Sequence, residues 1–185
     1  MSLDTDIIDL IHADVPYNLN VAPWDCNFGE SEFENMFKYV KELMGEKEFL
    51  FILSLAFQQI EHVFKIQKER THAFEEVKQF IWTKPKVKPQ SGNYLSSCLE
   101  NFLFCYSGKE SAYTKWNREY FKKNMENRYN YKSVRPKLKK FVYNNQVVNP
   151  TEKTVELYMH FISGWTSPGR MIVDLGGGSG AMLIA

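Results

Sequence analysis

Met171-Ile172-Val173-Asp174-Leu175-Gly176-Gly177-Gly178-Ser179-Gly180-Ala181 runs from an apolar stretch into a glycine-rich loop and on toward a helix start. The apolar residues predict a strand over Met171 to Asp174. Glycines in the loop from Leu175 to Gly180 let a ligand approach the backbone, and the amides at the next helix start favour anionic or polar groups. Such a turn is weak in isolation, and a plain loop explains it equally well. Its place behind an apolar strand gives it weight, because open α/β sheets bind ligands beyond the carboxyl ends of their strands.

The other end of the chain offers a second strand end. Residues 6 to 13 are apolar-rich and stop at Asp14-Val15-Pro16-Tyr17-Asn18, which reads as a buried strand delivering a rigid turn. Phe33, Phe37, Val40, Leu43 and Met44 fall at helical spacing between Ser31 and a stop at Gly45. Phe49 to Phe57 is a continuous apolar run that predicts a strand buried on both faces. Gln58 to Gln67 reads as a short helix, Glu75 to Thr83 as a strand ending in the loop Lys84 to Pro89, and Leu99 to Tyr106 as a further strand. A helix over Thr151 to Trp165 and the turn Ser167-Pro168-Gly169 lead back into Met171. This alternation predicts a three-layer α/β fold with a mostly parallel sheet.

At 185 residues and 44% apolar content the chain can bury one sizeable core. Cys26, Cys98 and Cys105 are an odd number without metal-ligand spacing, so free thiols in a reducing compartment are expected. His12, His62, His72 and His160 share no spacing with cysteines or acidic residues, so no metal site is expected. No apolar run reaches the roughly 18 residues of a membrane span, and Met1 to Asp9 lacks a basic signal region. The expected location is intracellular, cytoplasmic for a prokaryotic or viral protein. The phenylalanines at 37, 49, 51, 57, 102 and 104 follow strand and helix periods and are expected in the core.

A net charge of +1 hides an asymmetry: residues 1–50 carry eleven Asp and Glu against three Lys and Arg, and residues 109–140 carry eleven Lys and Arg against three Glu. In the basic segment Lys122, Lys123, Arg128, Lys139 and Lys140 are interleaved with Trp116, Tyr120, Tyr129 and Tyr131. Its periodicity is weak. It reads as an excursion from the core that contacts nucleic acid, with a solvated loop as the competing reading.

Asp14-Val15-Pro16-Tyr17 combines a carboxylate, a rigid proline and an aromatic ring at a strand end. That set can accept an amino proton and stack a planar base lifted out of its duplex. An ordinary turn with a surface tyrosine is the competing reading for these four residues alone.

Taken together, the motifs resemble those of the β-group of amino-methyltransferases, the permuted adenine- and cytosine-modifying DNA enzymes of bacterial and phage restriction-modification systems. Their catalytic motif precedes their cofactor motif. Asp14-Val15-Pro16-Tyr17-Asn18 is similar to the family's Asp-Pro-Pro-Tyr. Asn149-Pro150-Thr151-Glu152-Lys153-Thr154-Val155-Glu156-Leu157 is similar to His-Pro-Thr-Gln-Lys-Pro-Val-Glu-Leu, and Ile172 to Ala181 to Val-Leu-Asp-Pro-Phe-x-Gly-Ser-Gly-Thr. Trp82-Thr83-Lys84-Pro85 and Leu99 to Leu103 also echo the family's middle strands. The departures are Val15 for the first proline, Thr154 for the second proline of its motif, and Gly176 for phenylalanine.

The resemblance implies S-adenosyl-L-methionine as cofactor and double-stranded DNA as partner, with methylation of an exocyclic amino group. Adenine N6 is favoured because the motif opens with Asp, where cytosine-directed relatives more often open with Ser. It implies that Asp14 accepts from the target amino group, that the Val15 carbonyl takes the other hydrogen, that Pro16 stiffens the turn and that Tyr17 stacks on the flipped base. Lys153 would meet the carboxylate end of the cofactor, with Asp174, Gly176, Gly178 and Gly180 around its methionine. Residues 1–108 would form the catalytic half, 109–148 a basic target-recognition insert, and 149–185 the cofactor-binding helix, strand and loop. With Ala185 last, the resemblance implies a Rossmann-like sheet without its last strands, and a homodimer or completing partner chain. The alternative is an inactive or fragmentary protein of the same fold that serves as a nucleic-acid-binding or partner subunit. A methyltransferase for RNA or protein glutamine shares the Pro-Tyr chemistry but usually carries the cofactor motif first.

Overall fold

Ile8, Leu10, Ile11 and Ala13 are apolar on both sides of the pleat, and this segment becomes β1 (Ile8–Asp14), a strand with a neighbour on each edge and a covered face on each side. The structure, a computed structural model, describes residues 4–20, 23–83, 99–108, 142–143, 146–147, 153–178 and 180–185. After β1 come α1 (Glu30–Met44), β2 (Phe49–Leu55), α2 (Ile60–Ile66), β3 (Glu76–Thr83) and β4 (Leu99–Ser107). A two-stranded ribbon of β5 (Val142–Tyr143) and β6 (Gln146–Val147), α3 (Val155–Trp165), β7 (Met171–Asp174) and α4 (Ala181–Ile184) complete the order.

The main sheet has the order β3-β4-β2-β1-β7. β1 runs parallel to both β2 and β7, and β4 runs antiparallel to both β2 and β3. Four strands therefore share one direction and β4 alone is reversed, the mostly parallel sheet expected from the sequence. One face carries α1 and α2, with Phe33, Phe37, Val40 and Met44 against Ile11, Phe51 and Leu53. The opposite face carries α3 and α4, with Leu157, Tyr158 and Phe161 against Leu10, Ile52 and Phe102. Every residue of β2 is buried because it lies between these two layers.

Local chemistry sets the element ends. The carboxylate of Glu32 accepts a hydrogen bond from the Gly29 amide at 2.8 Å, closing the first turn of α1, and Gly45 at φ +60° ends that helix. The Thr154 hydroxyl accepts from the Leu157 amide at 3.2 Å and caps α3. The helix thus begins at Val155 rather than at Thr151, which lies outside the described residues. Lys153 precedes the cap, off the helix. Phe57 corrects another expectation: β2 stops at Leu55, a 3-10 turn follows over Phe57–Gln59, and Phe57 is 71% exposed. Its apolar neighbours extend the run in sequence, but the pleat has already ended.

Of the expected division of the chain, the segment 109–148 lies almost wholly outside the described residues. Cys26 and Cys105 are free thiols.

The Phe161 ring meets those of Phe80, Phe102 and Phe104 edge-on at centroid distances of 5.8, 5.0 and 5.5 Å. Removing it opens a cavity in the α3 layer, so Phe161→Ala is expected to lower stability by about 3–5 kcal/mol in urea denaturation. Phe57→Ala, at the surface, is expected to change it by no more than about 0.5 kcal/mol.

Candidate active site

Alternation along a strand sends every second side chain to the same face. In β1 the series Leu10, His12, Asp14 points toward the α3 layer, as do Leu50, Ile52 and Ser54 in β2 and Ile172 and Asp174 in β7. The last polar members, His12, Asp14, Ser54 and Asp174, gather at the carboxyl ends of three adjacent parallel strands. In open α/β sheets, ligands bind beyond these strand ends.

Lys153 reaches this edge from just ahead of α3. Its Nζ lies 2.6 Å from both Asp14 Oδ1 and Asp14 Oδ2, 3.6 Å from Glu100 Oε2, and 5.2 Å from the centroid of the Tyr17 ring. The Lys153 side chain is 3% exposed and that of Asp14 28%. An ammonium so deeply placed needs its charge compensated, and the two-oxygen contact with Asp14 supplies this. Asp14 and Lys153, expected to serve different parts of the site, are bonded to each other. Burial, reinforced by the charges of Asp14 and Glu100, pushes the Tyr17 phenol well above its ordinary range, so the ring is neutral.

The turn after β1 is fixed through its backbone. The Val15 amide donates to the Ser54 carbonyl at 3.1 Å, and the Pro16 carbonyl accepts from Gln59 Nε2 at 2.8 Å. The buried carboxylate of Asp25 accepts from the amides of Tyr17, Asn18 and Leu19 at 2.6, 3.0 and 3.1 Å. Asn18 pairs twice with the backbone of Phe28 and sits at φ +60°, a conformation asparagine tolerates. Tyr17 is therefore positioned by a folded loop.

The glycine loop lies directly against this turn. The Leu175 amide donates to the His12 carbonyl at 2.8 Å, carrying the β1–β7 pairing one residue further. A Cβ on Gly176 would stand 3.1 Å from the Asp14 carbonyl oxygen, so glycine at 176 lets the loop close on β1. Gly178 and Gly180 have φ of +49° and +79°, in the left-handed region. The Asp174 carboxylate accepts from His12 Nδ1 at 3.1 Å and from the Gly176 amide at 3.2 Å. Burial works against its ionisation. The hydrogen bond from His12, the Gly176 amide and the Lys153 charge outweigh burial and hold the carboxyl below the usual carboxylate range.

The structure thus brings Asp14, Val15, Pro16, Tyr17, Lys153, Asp174, Gly176, Gly178 and Gly180 to one edge of the sheet. Lys122, Lys123, Arg128, Lys139 and Lys140 lie outside the described residues. Sequence reasoning missed Asp25, Gln59, Ser54 and His12. Only His12 left a signal, as the sole polar residue between Leu10 and Ala13. Among the described residues no group of three or more His, Cys, Asp or Glu could hold a metal, and no helix is long and apolar enough to cross a membrane.

Among solved structures, the chain is similar to the crystal structure of M1.HpyAVI, at 20% identity and TM-score 0.57, over 96% of this chain and 74% of that one. It is similar at 17% identity and TM-score 0.57 to the M1.HpyAVI–SAM complex, over 95% of this chain and 75% of that one. A third is the PvuII DNA methyltransferase (cytosine-N4-specific), at 15% identity and TM-score 0.58, over 96% of this chain and 70% of that one. At these identities the likeness establishes the fold. A comparison with curated protein sequences gives no match. The sequence model of the N6 and N4 DNA methylases, described as DNA methylase, matches residues 8–185, from β1 through the glycine loop to α4, and the chain belongs to that family of DNA amino-methyltransferases.

Proposed function

We propose that this chain transfers a methyl group from S-adenosyl-L-methionine to the exocyclic amino group of a base in double-stranded DNA, with adenine N6 as the preferred acceptor. The observation that carries this reading is the contact of Gly176 with the Asp14 backbone, because it makes the turn and the glycine loop two walls of one site. The opening Asp of the turn favours adenine over cytosine.

The residues present fit the cofactor. Lys153 offers an ammonium for a carboxylate, Asp174 an ionised carboxyl beside an open glycine backbone, and both face the same edge as Asp14. Asp174, Gly176, Gly178 and Gly180 would hold the methionine end, and Lys153 its carboxylate. When bound, the cofactor supplies an electrophilic methyl group on sulfonium sulfur.

The chain's own part is orientation and proton handling. An exocyclic amino nitrogen is a weak nucleophile because its lone pair is spread into the ring. Acceptors at Asp14 and at the Val15 carbonyl hold its two hydrogens, turn the lone pair outward and aim it along the line of transfer. The extra proton on the methylated nitrogen then passes to the Asp14 carboxylate and on to solvent. Lys153, bonded to both Asp14 oxygens, keeps that carboxylate compensated, and would also hold the carboxylate of a bound cofactor. The neutral Tyr17 ring gives the flipped base a stacking surface. The basic segment 109–148 contacts DNA phosphates.

In a tritiated-methyl transfer assay on duplex DNA, Asp14→Ala is expected to lose at least about 10³-fold in rate, because orientation and the proton acceptor go together, while cofactor affinity changes by less than about tenfold. Full activity in that variant would contradict the reading. Nucleoside analysis of the product is expected to give N6-methyldeoxyadenosine, and N4-methyldeoxycytidine would reassign the acceptor. Replacing Lys122, Lys123, Lys139 and Lys140 by Ala is expected to weaken duplex binding and to flatten its log–log salt dependence by about one unit per lost phosphate contact. Unchanged affinity at low salt in a fluorescence titration would leave the segment a solvated loop.

A further inference from the structure

His12 sits in the middle of the site wall and no role above uses its side chain. It is 1% exposed, and both ring nitrogens are engaged: Nδ1 lies 3.1 Å from Asp174 Oδ1, and Nε2 lies 3.1 Å from Ser54 Oγ. The ring also stands edge-on to Tyr158 of α3 at a centroid distance of 5.1 Å. One imidazole thus links β2, β1 and β7 and touches the helix layer above them.

Serine, histidine and aspartate in this order resemble the chain of a nucleophilic hydrolase. Burial argues against that use. Ser54 has no exposed surface, lies inside the fully buried β2, and its carbonyl is engaged by the Val15 amide of the turn. No substrate carbonyl could approach its hydroxyl. The hydrogen bonds have a direction that suits holding instead. The Asp174 carboxylate can only accept, so Nδ1 carries the hydrogen between them, and Nε2 is left to accept the Ser54 hydroxyl hydrogen. Asp174 Oδ1 also receives the Gly176 amide, the residue packed against Asp14. A line of bonded groups therefore runs from the interior of β2 through His12 to the first glycine of the loop.

We propose that His12 is a positioning residue that, anchored by Ser54, fixes the Asp174 carboxylate and with it the glycine loop at the height of the Asp14 turn, and so sets the affinity for the cofactor. This rests on the methyltransferase reading in naming the ligand, and on geometry alone in naming the restraint. An apolar ring of similar size at position 12 fills the same space but leaves Asp174 without its imidazole donor and Ser54 Oγ without its imidazole acceptor. The loop then loses its registration while the rest of the sheet keeps its packing. Asparagine places an amide donor near the position of Nδ1 and is expected to restore the Asp174 bond without the Ser54 bond.

The test compares wild-type protein with His12→Phe, His12→Asn and Ser54→Ala. In the ligand-free proteins, nitrogen-15 NMR is expected to show wild-type His12 with its hydrogen on Nδ1, and exchange of the Gly176 amide is expected to be at least about tenfold faster in His12→Phe and near wild-type in His12→Asn. In calorimetry with S-adenosyl-L-methionine, His12→Phe is expected to bind at least about tenfold more weakly, His12→Asn within about threefold of wild type, and Ser54→Ala in between, with duplex DNA affinity unchanged in all three. A hydrogen on Nε2 alone, or unchanged Gly176 exchange in a folded His12→Phe, overturns the restraint. Unchanged cofactor affinity with altered exchange overturns its link to the cofactor. Failure of wild-type protein to bind S-adenosyl-L-methionine overturns the methyltransferase reading and the affinity role, while the exchange measurement still decides the restraint. Should His12→Phe not fold, the tautomer and Ser54→Ala carry the same decision, and wild-type values for Ser54→Ala in both exchange and affinity contradict the anchor.

Discussion

The site depends on the parallel pairing of β1 with β7, in which Ile11 lies beside Val173 and His12 beside Asp174. Two strands far apart in the sequence become neighbours at one side of the sheet, and the turn after one meets the loop after the other. A shift of one residue would send Asp174 to the α1 face and Gly176 away from the Asp14 carbonyl. The apolar residues that fix the register, Leu10 and Ile11 in β1 with Ile172 and Val173 in β7, thereby also position the chemistry. The permuted order of the motifs does not disturb this, because a parallel sheet brings carboxyl ends together whatever the order in which its strands are made.

Electrostatics does the second part of the work. Asp14, Lys153, Asp174 and Glu100 are charged or chargeable groups in a partly buried cluster, and each has a partner of opposite sign or a hydrogen-bond donor. Such a cluster contributes little net stability, since desolvation offsets most of the attraction. Its value is that the charges are placed before any ligand arrives. Asp25, Gln59 and Ser54 play the complementary part, holding the Tyr17 turn through amides and carbonyls so that its shape does not depend on the ligand.

Much of this was legible in the sequence. The continuous apolar run at Phe49 predicted a doubly covered strand, the helical spacing behind Ser31 predicted α1, and the three motifs in permuted order identified the family that the sequence model confirms. What was not legible has physical causes. Phe57 continues an apolar run, yet hydrophobicity alone does not say where hydrogen bonding to β1 and β4 ends. The start of α3 shifted to the Thr154 cap because an N-cap is a hydrogen bond, and Thr151 and Thr154 look alike before the chain is folded. The bond between His12 and Asp174 spans 162 positions and exists only once β1 and β7 pair. The Lys153–Asp14 ion pair is of the same kind, since neither residue announces the other.

The central claim is that the Asp14 turn and the glycine loop form one site. Titrating S-adenosyl-L-methionine into nitrogen-15-labelled protein tests it directly. The account predicts saturable shifts of the Gly176, Gly178 and Gly180 amides together with those of Asp14 and Val15, all with a single dissociation constant. Shifts at the glycines with Asp14 and Val15 silent, or saturation at a different ligand concentration, would contradict it.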